Sequence, residues 1–280
     1  MKLTWQRYNP ESTAERVLVL GGSLGGDTAH QWASVAAQLS DDTVLVFAQL
    51  PGQGTGAHWD DDADEATMEH LAGRLAETMQ SVKAKYPEHP VYYAGLSLSG
   101  ALGLYLARDH SDDVDGVVAV ASSLRTEDST MWEERATAVE RDGTASLIEA
   151  TQARWFTEDF VGYEPAKVEA IMDGLASTDD HSYAQLCRSL ATHDITGDLQ
   201  DLFTPVLFIA GAEDPGHSQA DMEDALQVMP NADLRVIPDV AHQVPVAAPG
   251  TVADVIRGFM RRLERQHWSV YDVVDGKPQA

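Results

Sequence analysis

The sequence predicts an α/β fold, a mostly parallel, doubly wound sheet that carries an all-helical insertion. Short runs rich in Val, Ile and Leu alternate with longer segments of helical periodicity, a rhythm that produces parallel sheets. The runs are continuous rather than apolar at every second position, as in strands covered by helices on both faces. The alternation stops between about residues 125 and 200, where only helical patterns occur.

In chain order, "LTWQRYN" (3–9) does alternate and predicts an antiparallel edge strand. "RVLVLGG" (16–22), "TVLVFAQL" (43–50), "PVYYAG" (90–95), "GVVAVAS" (116–122), "PVLFIAGA" (205–212) and "DLRVIPD" (233–239) predict buried strands. Helical periodicity falls at 30–40, 65–86, 99–109 and 251–265, and within the insertion at 130–142, 144–156, 165–176 and 179–192. The expected division is a core of 1–124 and 201–280 with a helical cap over 125–200. Such a cap lies over the strand ends, where sheets of this class bind ligands.

Composition narrows the function. With 280 residues, 44% of them hydrophobic, the chain can bury a full core. It carries 45 acidic against 19 basic residues, a net charge of −26, which argues against nucleic acid and anionic membrane as partners. The basic residues are 14 Arg and 5 Lys; a salt-rich host cytoplasm and a high-GC genome both yield that balance. A lone Cys187 permits no internal disulfide, fits a cytoplasmic compartment and reads as a helix core residue. Neither a signal-peptide core nor a membrane-length apolar run occurs, so the expectation is a soluble cytoplasmic protein. The acidic run "DDDADE" (60–65) reads as a solvated loop and helix N-terminus rather than a metal site. "GGSLGGD" lacks both the Lys-Ser/Thr of a P-loop and Gly-x-Gly-x-x-Gly spacing, and no cofactor is expected.

The chemistry centres on "AGLSLSG" (94–100). A nucleophile elbow needs a sharp strand-to-helix turn, with small residues two before and two after the serine. For Ser97 these are Gly95 and Ser99; for Ser99 they are Ser97 and Ala101. Register separates the two. The strand ends near Gly95 and the helix pattern begins at Ala101, which puts Ser97 on the apex and Ser99 in the first helical turn.

A serine nucleophile needs a base, and the base needs an orienting acid, in the chain order Ser, acid, His. Asp214 follows one strand in "EDPGH" and His242 follows the next in "VAHQVP". Both fall on the carboxyl edge of the sheet, as Ser97 does. Glu127 and Asp128 compete as the acid, His217 reads as a loop residue, and His30, His58 and His70 lack a partner in view. Oxyanion donors are expected at the Leu98 amide and, from the glycine-rich loop 20–26, at Ser23.

These residues resemble the α/β-hydrolase fold and, more narrowly, the 3-oxoadipate enol-lactonases. The similarity runs through "GSLGGDTAHQW", "AGLSLSGALGLYLA", "ARWFTEDF" (153–160), "EPAKVEAI", "YAQLCRSLATHDITGDL" and "TPVLFIAGAEDP", together spanning roughly 17–260. The resemblance implies cofactor-free hydrolysis of an enol-lactone that bears a carboxylate, so the substrate is a small anionic molecule and the pocket should supply a cation. Arg154 and Trp155 lie in the matching lid segment, with Trp132 and Arg135 one helix earlier; Arg154 could instead pair with Glu158 or Glu149. The chain departs from the pattern at Gln49, Gln53, Ser99, "HQVPVAAP" and the tail 267–280. A carboxylesterase, a carbon–carbon bond hydrolase and a perhydrolase would use the same machinery, and a receptor would use the same pocket without turnover.

Overall fold

The structure is a computed structural model describing residues 3–216 and 219–274. His217 and the end of the tail, 275–280, lie outside the described residues. Seven strands form one sheet: β1 (Thr4–Arg7), β2 (Val17–Gly21), β3 (Val44–Gln49), β4 (Val91–Leu96), β5 (Gly116–Val120), β6 (Val206–Gly211) and β7 (Ala232–Ile237). Their order is β1-β3-β2-β4-β5-β6-β7. Only β1 runs antiparallel, pairing Thr4 with Gln49, while β2 pairs in parallel with β3 (Val17 with Val44) and with β4 (Val17 with Val91).

Two-sided burial explains the continuous apolar runs. Along β2, Val17 and Val19 face one core, which includes α2 (Met68–Lys85) and α3 (Leu98–Asp109). Leu18 and Leu20 face the other, built with α1 (Thr28–Leu39) and α11 (Pro249–Val274). Every residue of β2, β3, β4, β5 and β6 is buried. At roughly 25 cal/mol per Å² of apolar surface, this double burial is the main stabilising contribution to the sheet.

Between β5 and β6 the chain forms α4 (Ser129–Asp142), α5 (Ile148–Trp155), α6 (Glu158–Tyr163), α7 (Pro165–Ala176) and α8 (Asp180–Ala191). The six-residue α6 is absent from the sequence reading, as are α9 (Gln219–Val228) and the single turn α10 (Val244–Ala247). Local signals start and stop the helices of this segment: Asp128 and Asp179 accept from amides of the first turns of α4 and α8, Pro165 opens α7, and Gly143 ends α4 at φ 78°. Cys187 is a buried core residue of α8, and burial pushes its thiol up to about 12.

The helical segment leaves and rejoins the sheet at a single seam. Thr126 N donates to His193 O at 2.7 Å, and Ile195 N to Leu124 O at 2.9 Å. Beneath the seam, the ring of His193 is buried. Its Nε2 lies 2.9 Å from the Ser123 carbonyl, so Nε2 carries the proton and Nδ1 accepts from the Tyr105 hydroxyl at 3.2 Å. Burial lowers the His193 pKa from its ordinary 6.5.

The fold thus holds His193 neutral. As pH falls through 6.5, the unfolded chain takes up a proton that the folded one resists, and stability is lost at up to about 1.4 kcal/mol per pH unit. Urea unfolding at pH 7.5 and 5.5 should show this loss in the native chain and a shallower dependence in His193→Gln.

Candidate active site

Backbone crowding builds the site at the end of β4. Ser97 has φ 56° and ψ −117°, a left-handed conformation that a side-chain-bearing residue adopts only when its surroundings enforce it. They do so by contact. A Cβ on Gly95 would lie 2.3 Å from the Ser99 carbonyl carbon and oxygen, and one on Gly100 would lie 1.9 Å from Ser122 Oγ. Ser97 N donates to Val120 O at 2.8 Å, while Ser97 O accepts from Ala101 N and Ser122 Oγ, each at 2.9 Å. The serine is therefore fixed between β5 and the first turn of α3.

Ser99 is buried in that first turn. A Cβ on Gly21 would come 2.8 Å from the Ser99 Cβ, so the side chain of Ser99 uses room left by a glycine on the neighbouring strand β2. This compensation explains how a serine can occupy the place of the second elbow glycine.

Asp214 follows β6 and His242 follows β7, and His242 Nδ1 lies 2.7 Å from Asp214 Oδ2, with both side chains 1% exposed. The competing acids do not meet His242 in any described contact: Asp128 lines the cavity but accepts from Met131 N at the start of α4, and Glu127 is exposed on the cavity rim. His58 and His70 pair with Asp179 and Asp64, and His30 is exposed.

A cavity of about 610 Å³ opens at Ser97. Its lining includes Leu98, Trp132, Arg154 and Gly216. Gly216 N donates to Asp214 Oδ1 at 2.9 Å, which ties the cavity wall to the histidine's acid. Arg154 is half-buried and has no hydrogen bond or ion pair among the described residues. The expected alternatives, Glu158 and Glu149, do not pair with it. Burial first, then the neighbouring Arg135, lower its pKa, against a smaller opposing pull from the Asp214 carboxylate, so its guanidinium is desolvated and faces a like charge as well as Asp214. Surface arginines such as Arg16, Arg108 and Arg188 have carboxylate partners.

Three expected residues take other places. Trp155 does not line the cavity; it is 3% exposed, its ring is stacked 6.5 Å from that of His242, and its carbonyl accepts from Gln243 N. Arg135 also stands back, donating to the Tyr183 hydroxyl at 2.9 Å and lying 5.7 Å from that ring's centre. The amide of Ser23 donates to Gln31 Oε1 at 2.9 Å and is therefore already committed. Gly22 and Leu24 are the amides of that loop without a partner among the described residues.

The commitment of Ser23 belongs to a network of buried glutamines that sequence reasoning missed. Gln53 accepts from Gly25 N at 2.7 Å and donates to Ser23 O and Gly26 O. Gln31 donates to Ser23 Oγ at 2.6 Å and to Gln243 Oε1 at 3.1 Å, joining the glycine-rich loop to the residue after His242. These amides hold the loop without any titratable group. The signals were "HQW", a glutamine on the buried side of α1, and the two glutamines that depart from the resembled pattern, Gln49 and Gln53.

A family model described as the alpha/beta hydrolase family matches residues 17–255. The chain is 28% identical over 268 residues to 3-oxoadipate enol-lactonase 1 of Acinetobacter baylyi, covering 94% of each protein. Among solved structures, the enol-lactonase from Burkholderia xenovorans LB400 superposes with a TM-score of 0.84 at 24% identity, over 92% of this chain and 96% of that one. A thermophilic esterase from Thermogutta terrifontis gives 0.82 at 24% identity over 93% of both.

The crowding at the elbow makes a stability prediction. Gly95→Ala sets a Cβ against backbone that cannot move aside and should cost at least about 3 kcal/mol in urea unfolding, the upper range for overpacking. Ser99→Gly should cost about 1 kcal/mol, the ordinary helical penalty.

Proposed function

The chain belongs to the alpha/beta hydrolase family, and from that membership we propose that it opens a carboxylate-bearing enol-lactone, 3-oxoadipate enol-lactone, through an acyl-enzyme on Ser97. The observation that carries the substrate class is Arg154, a desolvated guanidinium without a carboxylate partner among the described residues, on the cavity that Ser97 also lines. Although the chain carries 45 acidic residues, none among the described ones pairs with that cation. An incoming carboxylate would supply the missing charge, and a two-pronged guanidinium contact in such a place stabilises the complex by about 2–3 kcal/mol.

In this reading Asp214 holds Nδ1–H of His242, so that Nε2 is the basic nitrogen. Ser97 Oγ attacks the lactone carbonyl while Nε2 takes its proton. The oxyanion is held by the amide of Leu98 and by the uncommitted amides of the 21–26 loop, which the glutamines fix in place before substrate arrives. Collapse breaks the ring C–O bond, the departing enol oxygen receives the proton from His242, and the released enol then tautomerises to the ketone by gaining a proton at carbon and losing the one on oxygen. Water, deprotonated by His242, then attacks the acyl carbon; as the bond to Oγ breaks, His242 returns the proton to Ser97 and the second carboxylate is released. The helical segment 125–200 serves as the lid, with Arg154 and Trp132 as its contacts on the substrate. Trp155 is a positioning residue behind His242.

Ser97→Ala should lower kcat at least about 10⁴-fold, a loss typical of removing a nucleophile, whereas Ser99→Ala should retain most of the activity. Equal losses in the two would refute the assignment. Arg154→Ala should raise KM for the carboxylate-bearing lactone roughly 30-fold and leave KM for a neutral ester unchanged. An unchanged KM for both would return Arg154 to a structural role. With a net charge of −26, kcat/KM for the anionic lactone should rise as salt shortens the screening length from ~10 Å at 0.1 M to ~3 Å at 1 M. Kinetics with both substrates at the two salt concentrations test this.

A further inference from the structure

The two edges of the sheet differ in length. β1 has four residues, whereas β7, at the opposite edge, runs for six, Ala232–Ile237. The register of β7 fixes which of its backbone groups are free. Val206 N donates to Asn231 O and Ala212 N to Ile237 O, so the odd-numbered residues turn their N–H and C=O towards β6. Those of Ala232, Leu234 and Val236 therefore point away from the sheet. Among the described residues one partner meets them, Arg235 Nη1, which donates to Leu234 O at 2.7 Å. An open edge of this length is a template for another strand. Two of the five large apolar side chains that the described residues expose, Phe203 and Val228, lie at its start. Asn231 Nδ2 donates to Phe203 O, and Val228 ends α9 just before β7.

We propose that this edge is the interface of a homodimer, in which two copies pair their β7 strands antiparallel about a two-fold axis through Leu234. An antiparallel ladder sets outward residues opposite outward residues, so the strand can centre on Asp233, Leu234 or Arg235. Centring on Asp233 or on Arg235 sets two like charges face to face, which is destabilising. Centring on Leu234 engages all three outward residues: Ala232 meets Val236 of the second copy, Leu234 meets its own equivalent, and Val236 meets Ala232. The same register sets Asp233 opposite Arg235 of the second copy, on both sides of the axis. These are the positions without hydrogen bonds, where opposing side chains come closest. The Asp233 carboxylate is 36% exposed beside Arg262 of its own chain and is open to a second guanidinium. Arg235 is exposed, and pairing replaces its bond to Leu234 O with one from a backbone N–H. The strand is thus self-complementary in hydrogen bonds and in charge, as an isologous interface requires. Each copy carries a net charge of −26, so long-range repulsion opposes association and fades as salt screens it.

The test is sedimentation velocity of the full chain over a range of protein concentrations, at salt of about 0.1 M and about 1 M. A reversible dimer is expected, tighter at the higher salt. Arg235→Glu turns two attractive pairs repulsive and should raise the dimer dissociation constant about tenfold, and adding Asp233→Lys should recover most of that loss. Leu234→Cys should cross-link two copies on oxidation, because the Cα atoms of such a pair lie about 5.5 Å apart, within disulfide range. Cys187 is buried and offers no competing thiol. A native chain that stays monomeric at both salt concentrations overturns the proposal. So does a dimer that neither cross-links through Leu234→Cys nor weakens in Arg235→Glu, since its contact lies elsewhere. None of these readouts depends on turnover, so their outcome is independent of the proposed reaction.

Discussion

The close approach of two backbones, the end of β4 and the start of α3, is the constraint on which the site depends. No Cβ fits at Gly95 or Gly100, and Ser122 lies against the latter. This crowding forces the left-handed conformation of Ser97 and exposes it at the carboxyl edge of the sheet, on the cavity. The strain, of order 1–3 kcal/mol, is held by the two-faced burial of the surrounding strands. Asp214 and His242 arrive at the same edge because β6 and β7 run parallel to β4, so the topology brings three distant stretches of sequence to one edge of the sheet.

Around that centre the chain separates its polar work into charged and uncharged parts. The loop beside the elbow is held by Gln31, Gln53 and Gln243, whose amides meet backbone groups and one another. None of the three titrates. Charge is concentrated instead in Arg154, backed by Arg135 and set in a protein of net charge −26. At the cavity Arg154 and Arg125 stand beside Glu127 and Asp128, so its local charge is mixed rather than uniformly negative. Long-range repulsion of an anion weakens with salt, while the contact proposed at the desolvated Arg154 would not weaken to the same degree.

Hydropathy made the sheet and most helices legible, because strands buried on both faces have an unmistakable run of Val, Ile and Leu. The antiparallel edge strand showed through its alternation. The six residues of α6 are too few to establish a period, and α9 falls among loop-like acidic residues. The places of Ser97, Asp214 and His242 after three strand ends, and the contact between the latter two, were legible from position relative to the strands, which is a topological property. The fine contacts were not. Trp155 and Arg154 are sequence neighbours about 100° apart on a helix, so only one of them could face the cavity, and adjacency could not tell which. The Ser23 amide was expected as a donor to substrate, but a backbone N–H shows nothing of its partner in sequence; Gln31 claims it from one turn into α1.

The central claim is that Ser97, and not its neighbour two residues on, forms the covalent intermediate. Its most direct test is reaction with a fluorophosphonate, followed by fragmentation mass spectrometry of the peptide that contains both serines. Loss of fluoride and a single phosphonyl adduct on Ser97, absent when the reagent is added to unfolded protein, is the predicted result. An adduct on Ser99, or equal labelling of folded and unfolded chains, would contradict the account.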